Sequence, residues 1–345
     1  MNLVCLVSRQ AMPNVIPVLM YNPDKVCLLM TPEERLCGIH LKDLFESKNI
    51  RVVTKENINA YQTDTVKKAL SEFIENDKPE SLKINLTGGT KPMSFAAYDF
   101  AKENNIPAFY CNTEEQQLLH LFPETKTEPF SVKLTIKDYL LSYGYKILEQ
   151  KTLSEIEKYY PLFEFIEANK LMKSFLEFNE KIKKRLDQSS PKFSVTSFDK
   201  NFLFQKNFSS LRIEFGKKHR ESFSVNRSDF KSGDWLEYYV YYKLKDLQGV
   251  ELISGVKIQS DKEVSNEIDV IVLKDFKLYL MSCKSGKKDN QFDLFQLETI
   301  RNISSGTFGK GLFVSVNESS ELFLKRAAEL QINVINISKG DIIKL

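Results

Sequence analysis

The chain has 345 residues, a length that favours about two domains. Its 49 Lys and Arg against 46 Asp and Glu leave a formal net charge of +3. The composition of 42% hydrophobic and 28% charged residues is that of a globular protein and excludes a disordered chain. Only three histidines are present, too few for a His-rich zinc site and a poor supply for a Ser-His-Asp hydrolase, so metal chemistry has to depend on carboxylates.

The sequence shows no membrane or secretion signal. No apolar run approaches the ~20 residues that cross a bilayer, and the N-terminus lacks a basic leader with a small-residue cleavage site. The five cysteines show no CxxC spacing and lie mostly in apolar segments, which predicts reduced core residues. We therefore expect a cytoplasmic protein without a membrane partner.

Residues 1–130 alternate short apolar runs with amphipathic helical segments. The runs LVCLVS, KVCLLMT, IRVVTKE and SLKINL indicate strands. Such βα alternation requires right-handed crossovers, which predicts a Rossmann-like parallel sheet with ligands at the carboxyl ends of its strands. The run QQLLHLF before Pro123 predicts an added hairpin.

Two further regions follow along the chain. For residues 131–230 we predict a largely helical connector, because apolar residues recur at three- and four-residue spacing and Pro161 interrupts the pattern. For residues 231–345 we predict a second α/β domain, which begins with a helix, three consecutive strands and another helix. The expected fold class is therefore α/β, with a helical connector between two α/β domains.

A Gly-Gly loop stands between the fourth strand and the helix after it. In the segment NLTGGTKPMS, over residues 85–94, Gly88 and Gly89 let the backbone approach a ligand closely. The N-terminus of the following helix favours an anion, and Lys91 supplies a positive charge. A tight strand-to-helix turn with a threonine cap explains the same residues without a ligand.

A chain that opens with a Rossmann-like domain and carries SRQ after its first strand and LTGGTKPM after its fourth resembles the CRISPR-associated Rossmann fold (CARF) family. The resemblance covers residues 1 to about 125. It implies a homodimer that binds a cyclic oligoadenylate across its two-fold axis, with cyclic tetra-adenylate as the expected allosteric activator. Cyclic tetra-adenylate is itself two-fold symmetric, as such a dimer requires.

The CARF resemblance also implies which residues line the ligand pocket. They are Ser8, Arg9, Gln10, Asn14, Thr31, Thr87, Gly88, Gly89, Thr90, Lys91 and Met93. For Ser8 and Thr31, an ordinary position at a strand end explains the residue equally well.

Two strands of the last domain carry polar residues on matching faces. Over residues 266–273, NEIDVIVL places Glu267 and Asp269 on one side, and in KLYLMSCKS Ser282 and Lys284 share a side. A carboxylate and a lysine in one cleft, with an acid such as Glu237 from the preceding helix, suit metal-assisted hydrolysis of a phosphodiester. A structural ion pair between Asp269 and Lys284 is the alternative.

This arrangement resembles the PD-(D/E)xK nuclease superfamily over residues 230–345, which implies a restriction-endonuclease-like α/β fold and Mn²⁺ or Mg²⁺ as cofactor. The catalytic positions that it implies are Glu237, Asp269, Ser282 and Lys284. Ser282 departs from the pattern, because a carboxylate is expected there and a hydroxyl is a weak ligand for a hard cation. Glu267 or Glu298 can replace the missing metal ligand beside Glu237 and Asp269.

Joined in one chain, the two resemblances imply a metal-dependent endonuclease of type III CRISPR antiviral defence. Cyclic tetra-adenylate would activate it to cleave single-stranded RNA and DNA without sequence specificity. A local basic surface for nucleic acid is predicted from Lys284, Lys287, Lys288, Arg301 and Lys310.

Three alternatives to this function stay open. One is a catalytically decayed sensor of cyclic oligoadenylate, which the serine at position 282 would explain. Another is a ring nuclease that degrades its ligand in the CARF pocket. The last is a restriction- or repair-type endonuclease that is indifferent to cyclic nucleotides.

Overall fold

The structure is a computed structural model that describes residues 1–187, 192–227, 230–286, 290–341 and 343–345. Within these residues the chain forms three β-sheets with helices packed against them. In the same described part, no helix combines the length and the apolar character needed to cross a bilayer.

The N-terminal domain is a sheet with helices on both faces. Its strands are β1 (Asn2–Leu6), β2 (Lys25–Leu29), β3 (Arg51–Lys55), β4 (Leu82–Asn85), β5 (Ala108–Asn112), β6 (Gln117–Phe122) and β7 (Lys126–Pro129). Its helices are α1 (Met12–Tyr21), α2 (Arg35–Ser47), α3 (Thr63–Asp77) and α4 (Lys91–Glu103). The strand order is β3-β2-β1-β4-β5-β6-β7, with β1 to β5 parallel and β6 and β7 antiparallel. The predicted parallel sheet and its added hairpin are confirmed.

Residues 131–230 contain both helices and strands. The helices are α5 (Ile136–Leu141), α6 (Leu153–Glu157), α7 (Tyr160–Ala168) and α8 (Met172–Leu186). The strands are β8 (Tyr145–Glu149), β9 (Phe193–Thr196), β10 (Phe202–Lys206), β11 (Ser210–Phe215) and β12 (Glu221–Asn226). β9 to β12 form an antiparallel sheet of their own. Pro161 lies in the first turn of α7, so the predicted interruption coincides with a new helix start.

The C-terminal domain has the predicted order of helix, three strands and helix. Its elements are α9 (Asp234–Leu244), β13 (Val250–Ser260), β14 (Ser265–Lys274), β15 (Lys277–Lys284), α10 (Gln291–Ser305), β16 (Lys310–Ser315), α11 (Glu321–Glu329) and β17 (Ile332–Asn336). The strand order is β17-β16-β15-β14-β13-β8, with β15 to β17 parallel and the other pairs antiparallel. The predicted α/β class is confirmed, and β8 from residues 131–230 forms one edge of this sheet.

One apolar core continues from the N-terminal domain into the C-terminal domain. It joins Leu3 and Val15 to Leu280 and Leu294, with Tyr139 of α5 among the residues between them, and all five side chains are fully buried. Burying one large aliphatic side chain contributes roughly 1.5–3 kcal/mol. The two domains are therefore held together by a shared core.

Candidate ligand loops and nuclease cleft

The candidate ligand loops lie at the carboxyl ends of β1 and β4, where the strand order reverses. Since β1 and β4 are parallel neighbours, the loop after Leu6 and the loop after Asn85 meet at one edge of the sheet. A Cβ at Gly88 would overlap the carbonyl oxygen of Leu6, and Gly89 has φ +70°. Glycine at both positions allows the two loops to touch.

Two residues predicted to line the pocket are occupied in holding these loops together. Asn14 is fully buried, with its Nδ2 donating to Leu6 O at 2.9 Å and its Oδ1 accepting from Asn85 Nδ2 at 2.9 Å. Thr87 Oγ1 donates to Asn85 Oδ1 at 2.6 Å and accepts from Cys111 N at 2.7 Å. Asn14 is therefore committed to the structure of the loop, and the partly buried hydroxyl of Thr87 is held by two hydrogen bonds within the protein.

Three more of the predicted residues support the loops. Thr31 is buried and precedes a short 3₁₀ turn. Met93 is 1% exposed and packs against Gly89, where a Cβ would meet its Sδ at 3.2 Å. Thr90 Oγ1 donates to the carbonyl oxygen of Ala60, which ties the Gly-Gly loop to the loop that follows β3.

The remaining predicted residues are open to solvent at this edge. The Arg9 side chain is 82% exposed, with its Nε 3.3 Å from Glu34 Oε1. Lys91 is exposed in the first turn of α4, and Ser8 and Gln10 are partly exposed. Two cations beside a helix N-terminus provide the charge that phosphate oxygens require.

Tyr61 was not among the residues predicted from sequence. It is 79% exposed in the loop after β3, next to Ala60, whose carbonyl oxygen accepts from Thr90. The loop is anchored on the other side by buried Ile58, whose N donates to Met30 O at 3.1 Å. An aromatic ring held at this edge can stack on a nucleobase. A single tyrosine in a polar loop is not part of a helix or strand pattern, so the sequence pattern does not indicate its position at this edge.

The second candidate site lies where β14 and β15 separate. The two strands pair from Val270 and Met281 to their hairpin turn. Beyond that pair, β14 continues beside β13, and β15 continues beside β16. Asp269 and Lys284 therefore lie in a cleft between strands that have parted.

Asp269 is held by the backbone of the neighbouring strand. Its Oδ2 accepts a hydrogen bond from Cys283 N at 2.6 Å. Burial raises the pKa of Asp269, and Lys284 with this hydrogen bond offsets the rise only in part. The negative charges of Glu267 and Asp293 raise the pKa of Asp269 further. The cleft is thus short of positive charge.

Glu237 of α9 interacts with the same carboxylate. Burial raises the pKa of Glu237, and the negative charges of Asp269 and Asp234 raise it further. Asp234, in the first turn of the same helix, also has its pKa raised by burial. Carboxylates that repel one another in a partly buried site are stabilised by a divalent cation.

A cavity of about 120 Å³ opens from the cleft and brings several predicted residues together. Its lining includes Glu267, Asp269, Ser282, Lys284, Asp293 and Gln296. Asp293 and Gln296 belong to α10 and were not predicted, because an acid in the first turn of a helix is ordinarily explained by the helix dipole. Glu298 is not among the lining residues, since α10 presents positions 293, 296, 297 and 300 to the cavity.

The donor set fits a divalent cation that keeps most of its water. The described residues hold no cluster of three His, Cys, Asp or Glu side chains that could bind a metal ion by themselves. Mg²⁺ is ordinarily bound through one or two carboxylates, several waters and substrate phosphate oxygens. Asp269 and Glu237 supply two such carboxylates, and their mutual repulsion is what a cation would relieve.

The predicted basic surface is described only in part. Lys287 and Lys288 lie outside the described residues. Arg301 does not belong to a surface, because it is buried and its Nη1 donates to two backbone carbonyl oxygens at 3.1 and 3.2 Å. Lys310 is exposed at the start of β16.

The fold and its two sites define a nucleotide-binding type of α/β domain joined to a nuclease-type domain. Residues 2–139 match the family model of the Card1 CARF domain, and residues 225–344 match that of the Card1-like endonuclease domain. The chain therefore combines a CARF domain with a Card1-like endonuclease domain. The recognition of a CARF domain joined to a nuclease domain is confirmed.

Solved structures share this fold. Can2 from Sulfobacillus thermosulfidooxidans, in complex with cyclic tetra-adenylate, is 26% identical, with a TM-score of 0.71 over 96% of this chain and 94% of that chain. Protein VC1899 from Vibrio cholerae is 20% identical, with a TM-score of 0.76 over 98% and 94%. No curated protein matches the chain.

A larger relative shares the fold. It is a type III CRISPR defence DNA nuclease activated by cyclic oligoadenylate, 20% identical with a TM-score of 0.62. The match covers 93% of this chain but 46% of that one.

Proposed function

We propose that the protein is a metal-dependent endonuclease that is activated when its CARF domain binds a cyclic oligoadenylate. The observation that carries this proposal is the cleft between β14 and β15, where Asp269, held by Cys283 N, and Lys284 line one cavity of a Card1-like endonuclease domain. Likeness to Can2, which was solved with cyclic tetra-adenylate, supports cyclic tetra-adenylate as the activator.

The residues of the cleft would have different roles in the reaction. Asp269 and Glu237 would hold Mg²⁺ or Mn²⁺, and Asp293 approaches from α10 as a further acid near Asp269. When bound, the metal ion would polarise the phosphodiester and lower the pKa of a water molecule. Lys284 stabilises negative charge on the phosphate, and the Cys283 N–H keeps one oxygen of Asp269 in place.

The ligand site would be completed by a second copy of the chain. Arg9 and Lys91 are open at the edge of the CARF sheet, and a two-fold dimer would present two copies of each to a two-fold symmetric ring. Tyr61 at the same edge would stack on an adenine. A homodimer with cyclic tetra-adenylate across its axis is therefore part of the proposal.

The substrates we propose are single-stranded RNA and DNA, cleaved in the cytoplasm during type III CRISPR defence. The test is cleavage of labelled single-stranded RNA, single-stranded DNA and supercoiled plasmid with Mn²⁺ or Mg²⁺. Each reaction is run without ligand and with cyclic tri-, tetra- and hexa-adenylate. We expect cleavage that requires a metal ion and cyclic tetra-adenylate.

The other outcomes identify the alternatives. Cleavage that ignores every ring indicates a restriction- or repair-type nuclease. Ligand binding without cleavage indicates a decayed sensor, as Ser282 would explain. Linear products from the ring indicate a ring nuclease in the CARF pocket.

A further inference from the structure

The CARF loop that follows β1 directly contacts the turn that follows α10. Gln10 Oε1 accepts hydrogen bonds from the backbone N of Thr307 at 3.0 Å and from Thr307 Oγ1 at 3.1 Å. Thr307 lies in the 3₁₀ turn Gly306–Phe308, immediately after α10. One side chain thus joins the ligand edge of the CARF sheet to the helix that lines the nuclease cavity.

The orientation of the Gln10 amide is determined by its partner. A backbone N–H can only donate, so the atom that faces Thr307 N must be the carbonyl oxygen. Among the residues that the structure describes, Gln10 Nε2 makes no hydrogen bond. The donor end of the side chain is therefore open to an acceptor such as a phosphate oxygen, while the acceptor end is committed to the endonuclease domain.

The contact is tightly packed. Gly306 has φ +58°, and a Cβ there would overlap Gln10 Oε1 and lie 2.7 Å from Tyr143 Oη. Tyr143 Oη in turn accepts a hydrogen bond from Ala11 N at 3.4 Å. The loop after β1 cannot move far without moving the turn that follows α10.

A second tyrosine connects the same two segments. Tyr139 of α5 is fully buried, its Oη donates to Ser305 O at 3.2 Å, and its ring stacks on that of Tyr143 with centroids 5.8 Å apart. Ser305 is the last residue of α10. The end of this helix is thus held by the CARF loop and by α5 together.

Helix α10 reaches from this contact to the cleft. The distance from Ser305 to Asp293 along the helix is about 18 Å at 1.5 Å per residue. Asp293 and Gln296 line the cavity with Asp269 and Lys284. A helix moves as one body, so a change at its C-terminal end alters the position of Asp293 relative to Asp269.

We propose that Gln10 is a positioning residue for the nuclease reaction, whose Nε2 binds a phosphate oxygen of the cyclic oligoadenylate while its Oε1 holds Thr307. The inference rests on the proposed function and names the route by which the ligand controls the cleft. An occupied ligand site restrains the Gln10 side chain, and the restrained side chain holds α10 in one position.

Variants at the two ends of this link separate ligand binding from stimulation. Gln10→Glu keeps an acceptor for Thr307 and removes the donor, so we expect affinity for cyclic tetra-adenylate to fall at least about tenfold, or 1.4 kcal/mol. Thr307→Ala removes the hydroxyl donor to Gln10 Oε1 and keeps the backbone donor, whereas Gly306→Ala introduces a Cβ that displaces Gln10 Oε1. Both variants keep Gln10 Nε2 as a donor for the ligand. Their affinity should stay near that of the wild type, while the cleavage rate at saturating ligand falls about fivefold or more.

Two control variants match these changes. Thr299→Ala alters an exposed threonine of α10 without a contact to the CARF loop, and Gly340→Ala introduces a Cβ at φ +78° where no atom lies within 4 Å. Both should keep full stimulation. Thermal unfolding of each variant shows whether the fold is retained.

Hydrogen exchange supplies a readout that does not depend on cleavage. Cyclic tetra-adenylate should slow amide exchange in α10 of the full-length protein, and this protection should be reduced in Thr307→Ala, which keeps only the backbone donor, with α11 as the internal reference. Normal maximal rates and normal protection in both the Thr307 and Gly306 variants would overturn the inference. A wild-type protein that binds no cyclic oligoadenylate would instead refute the proposed function itself, so the two failures are distinguishable.

Discussion

Asp269 Oδ2 lies 2.6 Å from the backbone N of Cys283, across the point where β14 and β15 part. The hydrogen bond replaces the strand pairing that ends at Val270 and Met281. It occupies one oxygen of the carboxylate, and the other oxygen is the one that the proposed cation would contact. The Cys283 side chain packs into the apolar core, where burial raises the pKa of its thiol, so it is not a nucleophile.

Asp269→Asn should lower ligand-stimulated cleavage at least about a hundredfold, because the amide has no charge to hold a cation or stabilise the transition state. Initial rates with saturating cyclic tetra-adenylate measure this effect, and electron paramagnetic resonance measures Mn²⁺ binding. Asp275→Asn is the matched control, since Asp275 is exposed in the turn between the same strands. Equal rates for the two variants would place the active site elsewhere.

Lys284→Ala should reduce the cleavage rate at saturating substrate while Mn²⁺ binding persists, because the lysine acts on the phosphate and not on the metal. Lys277→Ala, at the other end of β15, is the control and should cleave as the wild type does. A loss of Mn²⁺ binding in Lys284→Ala would show that the lysine organises the cleft and does not serve catalysis.

Comparison of Asp293→Asn with Glu298→Gln tests which acid of α10 contributes to metal binding and cleavage. Asp293 lines the cavity and raises the pKa of Asp269, whereas Glu298 is not in the lining. We expect Asp293→Asn to weaken both Mn²⁺ binding and cleavage, and Glu298→Gln to leave both close to wild type. The reverse order would show that the helix rotates when substrate binds.

Tyr61→Ala should weaken binding of cyclic tetra-adenylate about tenfold, because stacking on one base is worth about 1–3 kcal/mol. Tyr61→Phe keeps the ring and should bind normally. Phe198→Ala removes another highly exposed aromatic ring, 93% exposed in the turn between β9 and β10, and is the control. Isothermal titration calorimetry measures all three, and equal losses in Tyr61→Ala and Tyr61→Phe would assign the contact to the hydroxyl.

Asp199 should make stability depend on pH. Burial raises the pKa of Asp199, but hydrogen bonds from Ser197, Asn201 and Ser174 outweigh it and hold the pKa well below its usual range. A carboxyl with a lowered folded pKa stabilises the protein above its unfolded pKa of about 3.9, and this is lost as pH falls toward the folded value.

The Asp199→Asn variant should therefore lose about 1 kcal/mol of unfolding free energy at pH 7, since an amide matches these donors poorly. The difference from wild type should be smaller at pH 4. Urea unfolding at both pH values measures it, with Asp275→Asn as the control that shows no such change. A difference independent of pH would mean that the charge of Asp199 is not what stabilises this turn.

Much of the fold could be predicted because its signals are local. The alternation of strands and helices predicts the CARF sheet, and the strand period places Asp269 and Lys284 on matching faces, where the structure has them. The pairing of β8 with β13 could not be predicted, because the two strands are far apart in the chain. The local sequence of neither strand indicates which strand it pairs with.

The candidate ligand residues show a different limit of prediction from sequence, which is that a family motif does not give the role of each of its residues. Asn14 and Thr87 belong to the family pattern, yet both are hydrogen-bonded inside the protein. A pattern of this kind does not distinguish residues that build a loop from residues that are open at its surface, and the hydrogen bonds inside the protein are needed to separate the two groups. Asp293 shows the converse, because its role depends on which face α10 turns to the cavity.

The apolar core that passes through Tyr139 also constrains how such proteins change over time. A sensor domain joined by a loose tether can be exchanged for another as a separate cassette. Here an exchanged sensor would leave apolar side chains of the endonuclease domain facing water, a surface that promotes aggregation. A change of ligand in this chain would therefore require substitutions within the existing CARF domain that preserve the shared core.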